Sequence, residues 1–571
     1  MTSSPQPRRP SQPLLYGVGL GASHALLLWL AFPPVGFGLL GVIAPIPLFL
    51  LALQTDRPWC TRLGVAIGTL PFWAYHHWWV FAVSGAGAPP LIVLQSLWAG
   101  LFVAIGAICS KRLRPWQKPV ALALVWSGVE FFRGRLFFDG YPWFLSAHPL
   151  ADLPLAKWAS VIGVYGVGLL VALLGASFAH AAISRSPGWR KAILPLACLL
   201  LLAFGGLLPT LSSDGAARIA VVQTNLPQNN KLAWDLNDRI ERFRTWASLS
   251  AEAGAMQPPP HLIVWPETMF PGATLSPEAI TEFERFERSQ GRSGSIGTLF
   301  VAPLLELQDQ IRVPMLLGAI GYDKLAISTE PDGGLRLDRD ASYNSAFLLA
   351  HGRIDPARYD KIFLTPFGET MPYISAFPAL ERALLDFAAG GMNFDLSAGT
   401  VPVRFEVETE EAGTLRIATP ICFEATIAHV CRRLVYDDAE RQADMLVNLT
   451  NDGWFGSFDA GRANHLLIAR WRAIELGTPI VRAANTGISC VVDARGRVLK
   501  AAAPRQPADL LPVEVPLPGG AQTIYARIGD VAGWLATLAT LALLGFACWT
   551  RRFDRESRDT NPSEPKPSPR L

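Results

Sequence analysis

The sequence predicts a polytopic α-helical membrane protein of about eight spans that carries a separate α/β domain. Three observations lead there. Half of the 571 residues are hydrophobic and only 17% are charged, below the roughly 25% of soluble chains. The apolar excess is concentrated in residues 1–210 and 530–549. Between them, residues 213–520 have an ordinary soluble composition in which short apolar runs alternate with helix-like stretches. The chain is too long for one compact unit. It divides into a membrane region at 1–212 with about seven helices, the domain at 213–520, a last span within 521–550, and a charged, Pro-rich tail at 551–571 that is expected to be disordered.

The first apolar block is "LLYGVGLGASHALLLWLAF" at 14–32, and others lie near 36–54, 63–83, 89–109, 119–132, 157–180 and 192–210. The eighth is "VAGWLATLATLALLGFACW" at 531–549. Most approach the roughly 20 residues needed to cross hydrocarbon. The block at 119–132 is short and is expected to extend toward Leu136. More spans follow the first block at once, which makes a cleaved signal peptide a poor reading of it.

Basic residues orient the array. Arg8 and Arg9, Arg57 and Arg62, the group from Lys111 to Lys118, Arg185 to Lys191, and Arg551 with Arg552 all fall on one side if there are eight spans. The opposite loop "SGAGAPP" at 84–90 has no charge. The positive-inside rule then places both termini in the cytoplasm and the domain outside it, in the periplasm of a diderm bacterium. The aromatic loop at 133–156, with Arg133, Arg135 and His148, comes out on the domain's side. It and "YHHWW" at 75–79 read either as interfacial anchors or as walls of a lipid-facing cleft.

A formal charge of +3 without a long basic tract excludes a nucleic-acid partner. The seven cysteines form neither a metal spacing nor a disulfide framework. No dinucleotide glycine fingerprint is present, and no cofactor is expected.

Within the domain, "RIAVVQTN" (218–225), "HLIVWPE" (261–267), "VPMLLGAI" (313–320), "SAFLLA" (345–350), "LRIATPICFE" (415–424), "DMLVNLTN" (444–451) and "PIVRAANTG" (479–487) read as buried strands. Residues 233–253 and 461–477 read as helices, and "SCVVDARGRVLK" (489–500) as a hairpin. Several strands end in a polar or ionisable residue, where α/β folds place their sites: Glu267, Cys422 and the run from Asn448 to Asn451. Lys361 and Glu369 lie in "RYDKIFLTPFGE" at 358–369.

This set suits acyl chemistry. A cysteine attacks as thiolate and needs a base, because a free thiol has a pKa of about 8.5. Glu267 could take that proton. Lys361 and the backbone N–H after Cys422 could stabilise the oxyanion. Glu369 and Glu424 could orient Lys361 or support it. No histidine lies close to Cys422 in sequence, which leaves His465 and His351 as formal alternatives. Taken singly, Cys422 could equally be a packed thiol, Glu267 a strand end and Lys361 a surface lysine.

Together the motifs resemble the carbon–nitrogen hydrolase, or nitrilase, superfamily, and within it the apolipoprotein N-acyltransferase family. "VWPET" resembles the family's base motif, "YDKIFLTPFGE" its lysine motif with Glu369 as a further glutamate, and "PICFE" its nucleophile motif. "NLTNDGWFG" and "RAIELGTPIVRAANTG" resemble the segments that follow, and "TNLPQNNKLAW" the first strand and loop, whose tryptophan is Trp234. The likeness covers nearly the whole chain. It departs at Phe423, where the family often has tyrosine, so any hydroxyl hydrogen bond is absent.

The resemblance implies an αββα sandwich and a Glu267–Lys361–Cys422 triad, with Glu369, Glu424, Phe423, Trp234 and Asn451 in support. It implies a phospholipid acyl donor, typically phosphatidylethanolamine, a thioester on Cys422, and transfer to the α-amine of a diacylglyceryl-cysteine at an apolipoprotein N-terminus. A monomer in the bacterial inner membrane is expected. A soluble-amide hydrolase would share the triad without needing seven preceding spans. A transporter would need polar groups within its spans, where Glu130 is the main exception. The segment "MPYISAFPALERALLDF" (371–387), with Phe377 and Phe387, reads either as an arm near the bilayer or as a helix packed on the domain.

Overall fold

The computed structural model describes residues 12–184, 187–226, 235–291, 297–329, 335–374, 377, 396–411, 413–504 and 506–559. Trp234, Phe387 and most of the 371–387 segment lie outside the described residues.

Each of the eight apolar blocks contains a helix. Five are long and apolar enough to cross a membrane: Pro13–Ala31, Ala88–Ser110, Pro154–Ile183, Gly188–Leu207 and Val531–Arg552. The other blocks hold Leu40–Gln54, Pro58–His76 and Lys118–Phe131, which are shorter or less apolar. Lys118–Phe131 continues through a π-helical turn, Phe132–Leu136. Helices Pro13–Ala31 and Pro58–His76 meet backbone to backbone through glycines. A Cβ on Gly64 would lie 2.2 Å from the Leu14 carbonyl, and one on Gly68 2.4 Å from that of Val18. Small residues at this spacing let apolar helices approach closely where hydrophobic burial cannot drive them together.

The final helix runs from Val531 to Asp559, so residues 551–559 are helical rather than disordered. The cause is local: "RRFDRESRD" has no Gly or Pro. A helix already nucleated in the span propagates at little cost.

The domain has two six-stranded sheets. The first runs Asp509–Pro518, Ser213–Gln223, Leu262–Val264, Met315–Asp323, Ala341–Ala350, Arg353–Asp360. The second runs Val498–Ala501, Cys490–Val492, Ile480–Asn485, Met445–Asn451, Gly413–Ala418, Arg404–Thr409. The strands at 213–223, 262–264 and 315–323 are mutually parallel, as are those at 413–418, 445–451 and 480–485.

Strand 213–223 explains why these runs are continuously apolar. Ala217, Ile219 and Val221 pack into the core shared with the second sheet. The alternate residues Ala220 and Val222 pack on the other face against Trp246 and Ala253 of helix Leu236–Gly254 and Leu304 of helix Val301–Ile311. Helices Ala428–Val435 and Asp459–Leu476 pack on the second sheet's side, completing an α-β-β-α layering. A strand buried on both faces has no polar side to alternate with.

The domain packs directly on the N-terminal apolar helices and the segments between them. Trp471 donates Nε1–H to the His148 carbonyl at 3.1 Å, and Arg470 pairs with Asp152. Trp79 packs on Phe455 with ring centroids 4.9 Å apart.

Candidate active site

The strand ends of the two sheets deliver the chemistry-bearing side chains to one end of the sandwich. Glu267 lies three residues past strand Leu262–Val264, Lys361 directly follows Arg353–Asp360, and Cys422 follows Gly413–Ala418 by four. The Glu267 turn is tight, with Thr268 at φ 49°. It lies so close to strand Met315–Asp323 that a Cβ on Gly318 would come within 2.5 Å of the Thr268 nitrogen.

Glu267 is buried and held at both oxygens. Asn344 donates Nδ2–H to Oε1 at 2.6 Å, and the Asn451 backbone N–H donates to Oε2 at 2.7 Å. Neither bond takes the proton-accepting capacity of both carboxylate oxygens in full, since each can accept more than one hydrogen bond.

Lys361 is fully buried. Its ammonium donates to Glu369 Oε2 at 2.6 Å and to the Thr365 hydroxyl at 3.4 Å, and the same Glu369 oxygen accepts the Thr365 N–H at 2.8 Å. Burial alone would lower the lysine pKa. The negative charge of Glu369, reinforced by that of Glu267, outweighs it and holds the ammonium above its usual range. A lone ammonium would be very costly here, so Glu369 is what makes a permanent buried cation possible.

Cys422 opens the turn Cys422–Thr426 with φ 51°, a left-handed conformation that is strained for a residue with a side chain. It keeps partial exposure. The surrounding protein nevertheless desolvates the thiolate and, with the charge of Glu267, pushes the thiol pKa up against the pull of Lys361 and Thr450. The thiol form is therefore favoured, and a nucleophilic role for Cys422 would require a base beside it. Glu267, Lys361 and Cys422 lie close enough for their charges to act on one another.

Glu424 does not touch Lys361. Its carboxylate joins the two turns that carry the reactive groups. Oε1 accepts the Ile362 and Phe363 N–H groups at 2.8 and 2.9 Å, and Oε2 accepts the Ile421 N–H at 2.7 Å. The Tyr359 hydroxyl donates to the same carboxylate at 2.9 Å. Burial pushes its pKa up to about 7, against these hydrogen bonds and the Lys361 charge. The Phe423 ring stacks on Phe363 at 6.3 Å, so apolar contact occupies the position next to the nucleophile. Asn451 contributes through its backbone, while its side chain accepts from Gly453 and Asn485.

Sequence reasoning missed Asn344, Thr365 and Tyr359. Asn344 left little signal: it is a buried amide that lies between Tyr343 and Ser345, just before the apolar run of its strand. Also missed was a buried knot behind the nucleophile. Arg482 pairs with Asp452 at 2.7 Å and donates to Asn448 at 2.7 Å, and Asn448 donates to the Pro420 carbonyl at 2.8 Å. Burial alone would raise the Asp452 carboxyl, but Arg482 and His465 hold it well below the usual carboxylate range. His465 belongs to this knot through Asp452 at 3.0 Å, and Trp143 of the 133–156 loop stacks on its ring at 5.7 Å. His351 lies in the exposed turn between strands Ala341–Ala350 and Arg353–Asp360, away from the site.

The aromatic loop packs against protein. The Arg133 guanidinium donates to the Trp143 carbonyl at 2.8 Å, and His77 Nε2 lies 2.8 Å from the Tyr141 hydroxyl. Glu130, on helix Lys118–Phe131, accepts both the N–H and the hydroxyl of Ser146, at 2.8 and 3.0 Å. It ties the loop to its helix. Tyr373 and Phe367, which follow the Lys361 turn, meet Phe138 of the same loop at 5.3 and 5.4 Å. Among the described residues, no cluster of three His, Cys, Asp or Glu side chains could hold a metal ion.

A two-sheet sandwich with a buried carboxylate, a buried ammonium and a cysteine at its strand ends is a carbon–nitrogen hydrolase domain, and residues 218–525 match the Carbon-nitrogen hydrolase family model, over half of the chain. Residues 24–177 match the Apolipoprotein N-acyltransferase N-terminal domain. The chain belongs to the apolipoprotein N-acyltransferase family. It is 30% identical over 540 residues to the Apolipoprotein N-acyltransferase of Geobacter metallireducens, covering 91% of this chain and 94% of the relative. It is 32% identical over 467 residues to that of Bradyrhizobium diazoefficiens, covering 78% and 76%. A solved amidase from Nesterenkonia sp. is 16% identical and covers 54% of this chain and 93% of its own, with a TM-score of 0.33.

Proposed function

We propose that the protein is a phospholipid-dependent apolipoprotein N-acyltransferase working by two acyl transfers through Cys422. The observation that carries this reading is the meeting of a held carboxylate, a compensated buried ammonium and a strained cysteine on a domain seated on apolar helices. Glu267 takes the Cys422 thiol proton as sulfur attacks the ester carbonyl of a phospholipid, with phosphatidylethanolamine the expected donor. The developing oxyanion is stabilised by Lys361 and the Phe423 backbone N–H. Glu267 returns the proton to the departing lysophospholipid oxygen, which leaves a thioester.

The neutral α-amine of a diacylglyceryl-cysteine then attacks the thioester carbonyl. Glu267 takes the amine proton, the C–S bond breaks, and the thiolate is reprotonated. Both substrates carry acyl chains whose exposure to water is costly, which suits a site seated on the bilayer. The working arrangement is a monomer with eight spans in the bacterial inner membrane, the domain on the periplasmic side and both termini in the cytoplasm. The basic-residue distribution supports that orientation.

The test uses purified protein with labelled phospholipid, with and without a diacylglyceryl peptide. Intact mass should show an acyl adduct that hydroxylamine removes, and the peptide should discharge it. Cys422→Ala should abolish both steps, whereas Cys431→Ala and Cys490→Ala should retain them. Normal peptide acylation by Cys422→Ala overturns the assignment.

A further inference from the structure

A second fully buried ion pair lies outside the reacting groups, on the helix that joins the domain to the membrane region. Arg472 and Glu475 approach to 2.6 Å with essentially no exposure. The alignment there is poor for a hydrogen bond, so the contact is one of charge. Each partner also reaches away from the other. Arg472 Nη1 donates to the Thr426 carbonyl at 2.9 Å, at the end of the Cys422–Thr426 turn. Glu475 Oε1 accepts the backbone N–H of Val164 at 2.7 Å, across to the membrane region.

Val164 needs that partner. The helix Ala159–Ile183 is broken at Gly163, which adopts φ 70° and ψ 173°. A break of this kind leaves the N–H groups of the next turn without intrahelical acceptors. The break is shaped to the domain: a Cβ on Gly163 would lie 2.5 Å from the Tyr525 ring, and Tyr525 bonds Asp530 at the head of the last span. Thr523 donates to the Glu475 carbonyl at 2.6 Å. On the same helix face, four residues earlier, Trp471 holds His148. The helix Asp459–Leu476 thus has one end of its contacts on the nucleophile turn and the other on a purpose-broken span.

We infer that Glu475 is a positioning residue that fixes the hydrolase domain on the spanning helices, so that Cys422 meets a lipid carbonyl held in the bilayer. Arg472 balances its charge and carries the connection to the nucleophile turn. Removing the carboxylate leaves the Val164 N–H buried without its acceptor and takes from the Arg472 guanidinium its nearest counter-charge, leaving only the more distant Asp530, so the joint loosens. The Glu267–Lys361–Cys422 geometry is held by bonds within the domain and stays intact. A membrane-borne substrate depends on the joint, and a small soluble reagent does not.

This inference rests on the proposed lipid reading, and the test separates the two. In the full-length protein in phosphatidylethanolamine-containing nanodiscs, two rates are measured: alkylation of Cys422 by iodoacetamide, and acyl adduct formation from the phospholipid. Glu475→Ala is expected to keep alkylation within about twofold while acyl transfer falls about 10- to 100-fold, the scale of an ångström-level misplacement. A parallel fall in both rates, or no change in acyl transfer, overturns the inference. If Glu475→Ala is not recovered folded, Gly163→Ala loosens the joint from the membrane side and is judged by the same ratio. No phospholipid-derived adduct on the wild-type protein would instead sink the lipid reading itself.

Discussion

Glu424→Gln gives the sharpest test of how the site is held together, because its size follows from counting hydrogen bonds. The carboxylate faces four donors: three backbone N–H groups and the Tyr359 hydroxyl. An amide has one oxygen. If that oxygen replaces Oε1, it keeps Ile362 and Phe363, and the NH₂ then faces the Ile421 N–H. If it replaces Oε2, it keeps Ile421 and loses the other two. The first orientation is the less costly and leaves one buried N–H opposed by another donor. A hydrogen bond to a charged group contributes about 1.5–3 kcal/mol. The lost bond lies one residue before Cys422, so its cost falls on the placement of the sulfur.

At 1.36 kcal/mol per decade, the expected loss in the rate of acyl-enzyme formation is roughly 10- to 100-fold. Single-turnover mixing with excess phospholipid, followed by intact mass, measures it without interference from the second step. Glu424→Ala should do worse, since all four donors lose their partner, and should also lower the thermal midpoint. A Glu424→Gln rate within about threefold of wild type would refute the argument that this carboxylate sets the nucleophile turn.

Lys361→Met should cost about 100-fold or more in acyl transfer, the scale of removing one oxyanion donor, with folding judged separately by thermal unfolding. Because Glu424 has a folded-state pKa of about 7, above the unfolded carboxylate value, its contribution to stability is fully present at acidic pH and is lost as pH rises through 7. Acyl-enzyme formation should move the other way, rising through pH 7 as the bracing carboxylate ionises, and Glu424→Gln should flatten that limb. Asp452→Asn leaves the buried Arg482 guanidinium without its counter-charge, so unfolding should be easier by about 3–5 kcal/mol, read as a lowered melting temperature.

Much of the molecule was legible in the chain because the signals were local. Apolar blocks became helices, and the apolar runs at 218–225, 313–320, 444–451 and 479–487 became strands of the sandwich. The motifs around Glu267, Lys361 and Cys422 lie at strand ends, where an abrupt change from apolar to ionisable residues marks the turn. Hydrophobic periodicity and strand punctuation need only neighbours in sequence, so they located the helices, the strands and the candidate residues, while the choice of Glu267, Lys361 and Cys422 as a set came from the likeness of their motifs to those of a known family.

The tertiary structure decided what those side chains are bonded to. Asn344 lies 77 residues from the Glu267 it fixes, Tyr359 lies 65 from Glu424, and Val164 lies 311 from Glu475. A buried carboxylate looks the same in sequence whether it serves as base, brace or helix cap. Glu267, Glu424 and Glu475 differ only in the donors that the packed chain brings to them. Burial makes each unmet donor expensive, and that cost arises only when distant segments have excluded water together.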